Sequence, residues 1–323
     1  MRISRIRSCT ALLFTAALAA ALVSATSPAV ASTVAAPGAT PAVTSDCGGT
    51  PTVTAGGTTL GCTFDDEFDG TTLDPAKWDA TTTAGSSYRS GTDACFVDSP
   101  DNISVGGGVL TLTARQLAQP MTCTDPAAGD YSADYTSGSV RTRDKFSQTY
   151  GEFSIRAQFP ASTVRGLQSS LWLWPQDVST YGADSGEIDI AEEYSQYPDR
   201  AIPYLHYHPA TAPTVISADP NGDNAVGENL PTDDYCYVDD VHAFHTYTAI
   251  WTPSYIQILF DGQNCMTDYF TPAAPLIAPA PFNVPFFINL TQALGIGTNK
   301  FQPGVTPLPA STVVDWVRVW GAA

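Results

Sequence analysis

The chain has 323 residues, with 14 Lys and Arg against 32 Asp and Glu, and its formal net charge is −18. This acidic balance argues against a nucleic-acid-binding protein, because such proteins displace counterions from phosphates with a basic surface. Apolar residues make up 43% of the chain and aromatic residues 11%, which is too apolar for a disordered protein. The length suffices for one large β domain or two ordinary domains.

The N-terminus has the pattern of a secretory signal peptide. Three arginines lie within the first seven residues, and an apolar stretch follows from Ala11 to Val23. Ala29-Val30-Ala31 then supplies a small-x-small cleavage site, so we predict a signal peptide at residues 1–31. The apolar stretch is too short to span a bilayer, and we expect a secreted protein with no membrane partner. Residues 32–46, rich in Ala, Thr and Pro, are predicted to be a tail or linker before a single domain at residues 47–323.

Cleavage would leave 11 basic and 32 acidic residues, a charge of −21, and would reduce the cysteine count from seven to six. An even number of cysteines in an exported chain suggests disulfide bonds, but six cysteines allow about 15 pairings and the sequence does not select among them. Sequential pairing would close modest local loops, and we predict Cys47–Cys62, Cys95–Cys123 and Cys236–Cys265 on that basis. A zinc site is the alternative, although the chain has no C-x-x-C pair.

Beyond the linker, the sequence is typical of short strands separated by turns. In Gly151–Phe159 apolar residues alternate with polar ones, which predicts a half-buried strand. No amphipathic helix longer than about two turns is evident. Many strands without helical crossovers favour an antiparallel sandwich or barrel. The other predicted strands are Val109–Ala114, Tyr247–Trp251, Tyr255–Phe260, Pro285–Leu290 and Val313–Trp320.

The scarce glutamates are concentrated in one segment. The chain has six, and Glu187, Glu192 and Glu193 fall within seven residues. Two isoleucines alternate with these acids, so we predict a strand with one buried face. On a regular strand Glu187 and Asp189 share a face, whereas Glu192 points to the other face. A single β-bulge between Asp189 and Glu192 would bring all three acids to one cleft.

Neighbouring carboxylates repel each other and destabilise a strand, so the cluster requires an explanation. A charged, exposed edge strand or a calcium site are alternatives, but the alternating isoleucines indicate that the opposite face is core. Glycoside hydrolysis needs two close carboxyl groups: one is ionised and attacks the anomeric carbon, and the other protonates the leaving oxygen. Repulsion between them separates their pKa values. The pattern favours this chemistry.

The stretch E-x-D-x-x-E, from Glu187 to Glu192, resembles the active-site signature of glycoside hydrolase family 16, in the bulge-containing form of laminarinase-like endo-β-1,3-glucanases. Further segments between Phe64 and Trp320 resemble strands of that family in the same order. These segments are Phe64–Gly70 with Lys77-Trp78, Asp101–Leu110, Tyr135–Gly138, Lys145–Ser147, Tyr150–Phe153, His245–Tyr247, Trp251–Pro253, Asp261-Gly262 and Val314–Trp320.

The resemblance implies a β-jelly-roll sandwich of two curved antiparallel sheets with an open concave cleft. It also implies a retaining double displacement in which Glu187 is the nucleophile, Glu192 the general acid/base and Asp189 the assisting acid. The carboxyl groups of a retaining pair lie about 5–5.5 Å apart. Glu193 has no role in the family pattern, and we expect it to face away from the cleft. No cofactor is expected for catalysis, and the expected partner of this monomer is a polysaccharide substrate.

The resemblance also suggests residues that hold sugar rings. Trp172 matches the family's tryptophan before the catalytic strand, and Trp174 has the same strand parity, so it is expected either to share that face or to lie in the core. Asn102 matches an amide that contacts sugar beside the nucleophile. Weaker substrate-binding candidates are Arg141, His206, which could equally be structural, and Asn289.

Members of the family often carry a structural calcium ion on the convex side, away from the cleft. The matching positions are Glu67, the backbone carbonyl of Gly108, and Asp315, and oxygen ligands of this kind suit calcium. The two carboxylates could equally be surface charges.

One departure from the family pattern concerns the substrate. Many laminarinase-like members have Gly-Leu-Trp-Pro where this chain has Gly-Leu-Gln-Ser, so Gln168 replaces an aromatic residue that would floor part of the cleft. Residues Tyr194–Arg200 also differ from the usual short continuation. We expect β-1,3-glucan as the substrate, with mixed-linkage glucan or a galactan as alternatives. A transglycosylase and a non-catalytic glucan-binding protein are further alternatives, although such binding proteins typically lose the acids.

Overall fold

The computed structural model describes residues 46–210, 215–217, 226–227, 230–232 and 236–322. The predicted signal peptide, and the predicted linker apart from its last residue, lie outside the described residues. Where the chain is described, no helix is long and apolar enough to cross a lipid bilayer.

The described residues form twenty strands and four short helical segments. Helix α1 spans Thr83–Ser86, and 3₁₀ turns span Gly91–Asp93, Gly182–Asp184 and Gly297–Asn299. The strands are β1 (Thr52–Ala55), β2 (Thr58–Asp66), β3 (Asp79–Ala80), β4 (Arg89–Ser90), β5 (Ala94–Phe96), β6 (Ile103–Gly106), β7 (Val109–Cys123), β8 (Tyr131–Arg141), β9 (Gly151–Gln158), β10 (Leu167–Pro175), β11 (Glu187–Tyr194), β12 (Ile202–His206), β13 (Val215–Ser217), β14 (Val226–Gly227), β15 (Leu230–Pro231), β16 (His245–Trp251), β17 (Ile256–Phe260), β18 (Gln263–Asp268), β19 (Phe286–Leu294) and β20 (Ala310–Gly321).

The longer strands pair into two antiparallel layers. The cleft sheet has the order β3-β8-β19-β10-β11-β12. The back sheet has the order β1-β2-β20-β9-β16-β17-β18-β13. Strand β7 connects the layers, since its first half pairs with β20 and its second half with β8. The predicted antiparallel sandwich is therefore confirmed.

Each sheet buries one face because apolar residues alternate along its strands. On β9 the buried residues include Phe153, Ile155 and Ala157, as the alternation predicted. On β10, in the cleft sheet, Leu171 and Leu173 are fully buried. They pack in one core cluster with the buried residues of β9 from the back sheet. Burying an aliphatic or aromatic side chain of this kind contributes about 1.5–3 kcal/mol. This core fixes which face of the cleft sheet is left for the site.

The other predicted strands are also present, although their bounds differ. The prediction Val109–Ala114 covers only the start of β7, which continues to Cys123. The continuation is mostly exposed and lacks apolar alternation, so the sequence pattern did not indicate it. The predicted strands near residues 247, 255, 285 and 313 correspond to β16, β17, β19 and β20.

The sequential disulfide pairing is confirmed. Cys47–Cys62, Cys95–Cys123 and Cys236–Cys265 are bonded, with Cα atoms 5.8, 5.8 and 5.2 Å apart. The bridges join residues 15, 28 and 29 positions apart in sequence. Closing loops of such lengths stabilises a protein by about 3 kcal/mol or somewhat more per bridge.

Candidate active site

Strand β11 contains the predicted bulge. Its segment Glu187–Asp189 pairs with His206–Tyr204 of β12, but Glu192 then pairs with Ile202, so β11 has one residue more than its partner. The extra residue is Ile190, which the pairing with β10 also skips. As a result, the carboxyl groups of Glu187, Asp189 and Glu192 line one cavity of about 410 Å³.

The residues around the acids fix the orientation of the strand. Ile188 and Ile190 are fully buried on the core side, which leaves the cleft side to the acids. Gly186 lies where the strand begins, and a Cβ atom there would lie 2.7 Å from the ring of Phe282. Only glycine fits this position without displacing that ring.

Glu193 lies on the opposite face from Glu187, Asp189 and Glu192, as expected. It pairs with Ser169 of β10 and is fully buried in the interior. Neither carboxyl oxygen has a hydrogen-bond partner among the described residues, and burial raises its pKa well above the usual range. Glu193 is therefore held as a neutral acid in the core.

The carboxyl groups of Glu187 and Asp189 line the same cavity, and each affects the pKa of the other. Burial, followed by the charge of Asp189, raises the pKa of Glu187 to about 9. Burial, followed by the charge of Glu192, raises the pKa of Asp189 well above its usual range. Both shifts favour the neutral acid, so the buried pair retains a proton when no substrate is bound.

The Glu187→Gln variant is expected to gain stability over the wild type as the pH rises. The pKa of Glu187 rises from 4.5 to about 9 on folding, so the folded state holds this proton more tightly than the unfolded state. The wild type therefore loses this contribution as the pH rises from about 4.5 to about 9, whereas glutamine has no proton to lose. Thermal unfolding between pH 5 and pH 9 should show a widening difference in Tm. A constant difference would contradict the raised pKa.

Three side chains donate hydrogen bonds to Glu192. Gln168 Nε2 and Ser170 Oγ lie 2.9 and 2.8 Å from Oε1, and the hydroxyl of Tyr194 lies 2.6 Å from Oε2. The donors come from the cleft faces of β10 and β11, because Ser170 pairs with Glu192 and Gln168 pairs with Tyr194. Glu192 is therefore fixed in one orientation beside Asp189.

One row of side chains crosses five strands of the cleft sheet, from β8 to β12, with one residue from each. Arg141 pairs with Asn289, Asn289 with Trp172, Trp172 with Asp189, and Asp189 with Tyr204. Neighbouring strands lie about 4.8 Å apart, so the row extends for about 14 Å from Arg141 to Asp189. This register explains why the predicted residues Arg141, Trp172 and Asn289 line the same cavity as the acids.

The two predicted tryptophans both line the cavity. Their rings meet edge to face with centroids 6.0 Å apart, and Trp172 Nε1 donates to Thr291 Oγ1 at 3.2 Å. Phe287 pairs with Trp174 and adds a third ring. Trp174 thus shares the cleft face rather than the core, and the rings provide a large apolar surface beside the acids.

Arg141 and Asn289 carry buried donors that no described residue accepts. These donors are Nε of Arg141 and Nδ2 of Asn289, on residues that lie directly opposite each other. Burial lowers the pKa of the Arg141 guanidinium. Arg143, which the sequence analysis did not single out, also lines the cavity, with its guanidinium 6.0 Å from the ring centroid of Phe287. Unpaired donors of this kind are available to a ligand.

The structure corrects the prediction for Asn102. Its side chain is 2% exposed and does not line the cavity. Nδ2 donates to the carbonyl of Thr113 and to Thr136 Oγ1, and Oδ1 accepts from the same hydroxyl. The amide therefore holds β7 and β8 together and has no free group for a sugar.

His206 lies at the edge of the cleft and contacts an acid directly. It pairs with Glu187 across β11 and β12, and its Nε2 lies 2.8 Å from Asp189 Oδ2. Its side chain is 39% exposed. This contact orients Asp189, a role that the sequence pattern did not indicate.

Tyr88 is a cleft residue that the sequence analysis missed. Its ring stacks on Phe96 with centroids 5.0 Å apart and remains 42% exposed. Burial, followed by the charges of Glu192, Glu187 and Asp189 in that order, raises the pKa of Tyr88. The residue lies in the turn after α1, which no periodic pattern marks.

The two carboxylates predicted to hold calcium are each paired with an arginine. Both carboxylate oxygens of Glu67 accept hydrogen bonds from Arg318, at 2.8 and 2.7 Å, and Asp315 is paired with Arg156. Within the described residues, the close group of potential ligand atoms is instead Cys47, Cys62 and Asp65, whose cysteines are bonded to each other. Arginine side chains already neutralise the predicted carboxylates.

Known proteins resemble the chain over most of its length. A family model described as "Beta-porphyranase A-D, GH16 domain" matches residues 61–322. Glucan endo-1,3-beta-glucosidase A1 of Niallia circulans is 30% identical over 278 residues, which are 80% of this chain and 37% of that protein. Keratan-sulfate endo-1,4-beta-galactosidase of Sphingobacterium multivorum is 31% identical over 198 residues, which are 60% of this chain and 42% of that protein. The chain thus spans less than half the length of these two relatives.

A solved structure supports the same assignment. The laminarinase from Rhodothermus marinus superposes with a TM-score of 0.63 at 29% sequence identity, covering 81% of this chain and 97% of that one. The jelly-roll expectation is confirmed by this likeness, and so is the resemblance that the acid motif indicated. The chain belongs to glycoside hydrolase family 16.

Proposed function

We propose that the protein is a secreted, retaining endo-glycosidase that hydrolyses a β-linked polysaccharide, with β-1,3-glucan as the first candidate. The observation that carries the proposal is the bulge in β11, which brings Glu187, Asp189 and Glu192 to one cavity. The substrate class follows the names of two relatives, a glucan endo-1,3-beta-glucosidase and a laminarinase.

In the first step, a carboxylate oxygen of Glu187 bonds to the anomeric carbon while the bond to the leaving sugar breaks. Glu192 gives its proton to the leaving oxygen. Glu187 must be ionised for this step, so the proton retained by the Glu187–Asp189 pair has to sit on Asp189 when the substrate is bound. The products are a glycosyl ester on Glu187 and a free sugar chain.

In the second step, Glu192 takes a proton from water as the water oxygen bonds to the anomeric carbon. The ester bond breaks and Glu187 regains its carboxylate. Two displacements at the same carbon restore the original β configuration. A sugar hydroxyl in place of water would give transglycosylation with the same residues.

Secretion rests on the N-terminal sequence. Arg2, Arg5 and Arg7, the following apolar stretch and Ala29-Val30-Ala31 support export and cleavage after Ala31. Sequencing the N-terminus of protein collected from the culture medium should give Ser32 as the first residue. Retention in the cell with an intact Met1 would contradict this part of the proposal.

A galactan with anionic groups is a second candidate substrate. Arg141 and Arg143 line the cavity, and neither forms a salt bridge within the described part of the chain. Guanidinium groups bind sulfate-like and carboxylate anions through paired hydrogen bonds. The name of one relative, a keratan-sulfate endo-1,4-beta-galactosidase, agrees with this chemistry.

A panel of laminarin, mixed-linkage glucan, agarose and keratan sulfate, with sizing of the products, decides between these candidates. We expect short oligosaccharides from laminarin, released from within the chain. If keratan sulfate is cleaved instead, Arg141→Gln should raise KM for it severalfold and added salt should do the same. Binding of a polymer without new reducing ends would contradict an enzyme, and products longer than the substrate would indicate transglycosylation.

A further inference from the structure

The two carboxyl oxygens of Glu192 have different surroundings. Oε1 accepts hydrogen bonds from both Gln168 and Ser170, whereas Oε2 accepts one, from the hydroxyl of Tyr194. A carboxyl oxygen has two lone pairs in its plane, so both of those on Oε1 are used. A proton on Oε1 would displace one donor and leave it unpaired in a largely buried site.

The asymmetry leaves one oxygen for proton transfer. With Gln168 and Ser170 on Oε1, a neutral Glu192 carries its proton on Oε2 and still accepts the hydrogen bond from Tyr194. Burial raises the pKa of the Tyr194 hydroxyl well above its usual range, so it remains a donor throughout. The same three hydrogen bonds are kept when Glu192 is a carboxylate.

We propose that Gln168 and Ser170 are positioning residues that reserve Oε1 as a permanent acceptor, so that Glu192 donates and accepts the catalytic proton through Oε2 in both steps. This inference rests on the proposed double displacement. It also gives a function to Gln168, the position at which the chain departs from the aromatic residue of many relatives in the family. The carboxyl group then needs no rotation between its roles as acid and as base.

Removing these donors should change the pH dependence of turnover. The other ionisable groups around Glu192 are Glu187, Asp189 and Tyr194 on the same strand. Tyr88, Arg141 and Arg143 line the same cavity, and the substitutions leave all six in place. Hydrogen bonds to a carboxylate stabilise its charged form more than its neutral form. Without the hydrogen bonds from Gln168 and Ser170, the alkaline fall of kcat/KM should therefore occur at higher pH. The change should be about one pH unit when both hydrogen bonds are lost.

The test compares Gln168→Met, Ser170→Ala and the double variant with the wild type. Gln176→Met is the matched control, because Gln176 also donates to a carboxylate, that of Asp144, but outside the cavity. The profile of kcat/KM against pH is measured on the polymer that the wild type degrades fastest. In the double variant we expect the alkaline limb of the profile to lie at higher pH than in the wild type. We also expect kcat at neutral pH to be about tenfold lower and KM to stay within twofold of the wild-type value. Ser170→Thr, which keeps the hydroxyl, should restore part of the loss, and the control should be unchanged.

A second readout needs no substrate. The chain has six glutamates, so carboxyl ¹³C NMR of glutamate-labelled protein can follow Glu192, assigned by its loss in Glu192→Gln. At fixed pH the Glu192 carboxyl resonance should shift in the double variant and, by less, in Ser170→Ala, which removes a single oxygen atom and is expected to fold.

Three outcomes would overturn the inference. The first is an unchanged pH profile and an unshifted Glu192 resonance in the double variant. The second is a raised KM with unchanged kcat, which would make Gln168 and Ser170 substrate-binding residues. Both would leave the proposed function intact, since the wild type still turns over. The third is a wild type that degrades no polymer, or a Glu192→Ala variant with full activity, and this would overturn the proposed function together with the inference.

Discussion

The Glu187→Gln variant should lose turnover by about four orders of magnitude or more while keeping its fold. Glutamine has nearly the shape of glutamate but cannot form the glycosyl ester, so the double displacement has no first step. Reducing-end release from the polymer identified in the panel measures the effect. A slow-releasing 2-fluoro glycoside should label the wild type on the peptide that contains Glu187, and mass spectrometry should find no label on the variant.

Glu193→Gln is the matched control for this experiment. It is the same substitution on the same strand, but Glu193 faces the core and is held neutral. Its activity should therefore stay close to that of the wild type. Turnover in Glu187→Gln that equals the control would refute Glu187 as the nucleophile.

The Glu192→Ala variant should lower kcat on the polysaccharide by about 10²- to 10⁴-fold, because it removes both the acid of the first step and the base of the second. An aryl glycoside with a nitrophenolate leaving group needs little protonation, so formation of the glycosyl ester should be nearly unaffected. Azide needs no general base, and it should restore turnover of this substrate and yield a β-glycosyl azide.

The configuration of the azide product makes this test specific. A β product means that azide replaced water at the glycosyl ester on Glu187. An α product would mean that azide attacked in a single displacement, with Glu187 acting as the base of an inverting enzyme. Absence of any rescue, together with equal losses on both substrates, would show that Glu192 has a structural role instead.

The fold and the acids were predictable because both depend on local alternation. Ile188 and Ile190 required a buried face, and the spacing of Glu187 and Glu192 then required one extra residue, which the structure shows as a bulge. The disulfide pairs followed from their short separations, although nothing in the sequence alone excluded the other pairings.

The rest of the site depends on register and on turns, which local patterns do not encode. Arg141 and Asn289 are far apart in sequence and lie opposite each other only because β8 pairs with β19 in one register. Tyr88 reaches the acids from the turn after α1, and Arg143 lies just beyond the end of β8. Asn102 matched a family position, but buried hydrogen bonds to β7 and β8 occupy its amide.

The predicted calcium site shows a limit of a different kind. Glu67 and Asp315 were predicted to be oxygen ligands of a cation, and each of them does pair with a positive charge. That charge comes from Arg318 and Arg156, which approach from β20 and β9. A sequence shows the carboxylates and the arginines, but not which of them meet across the back sheet.

The anomeric configuration of the first product tests the double displacement through Glu187 most directly. Proton NMR of a polysaccharide digest, recorded within minutes of adding enzyme, resolves the α and β signals of the new reducing ends before they equilibrate. The β signal should appear first and decay toward the equilibrium mixture. Initial appearance of the α signal would contradict a glycosyl-enzyme on Glu187, since a single displacement inverts the anomeric carbon.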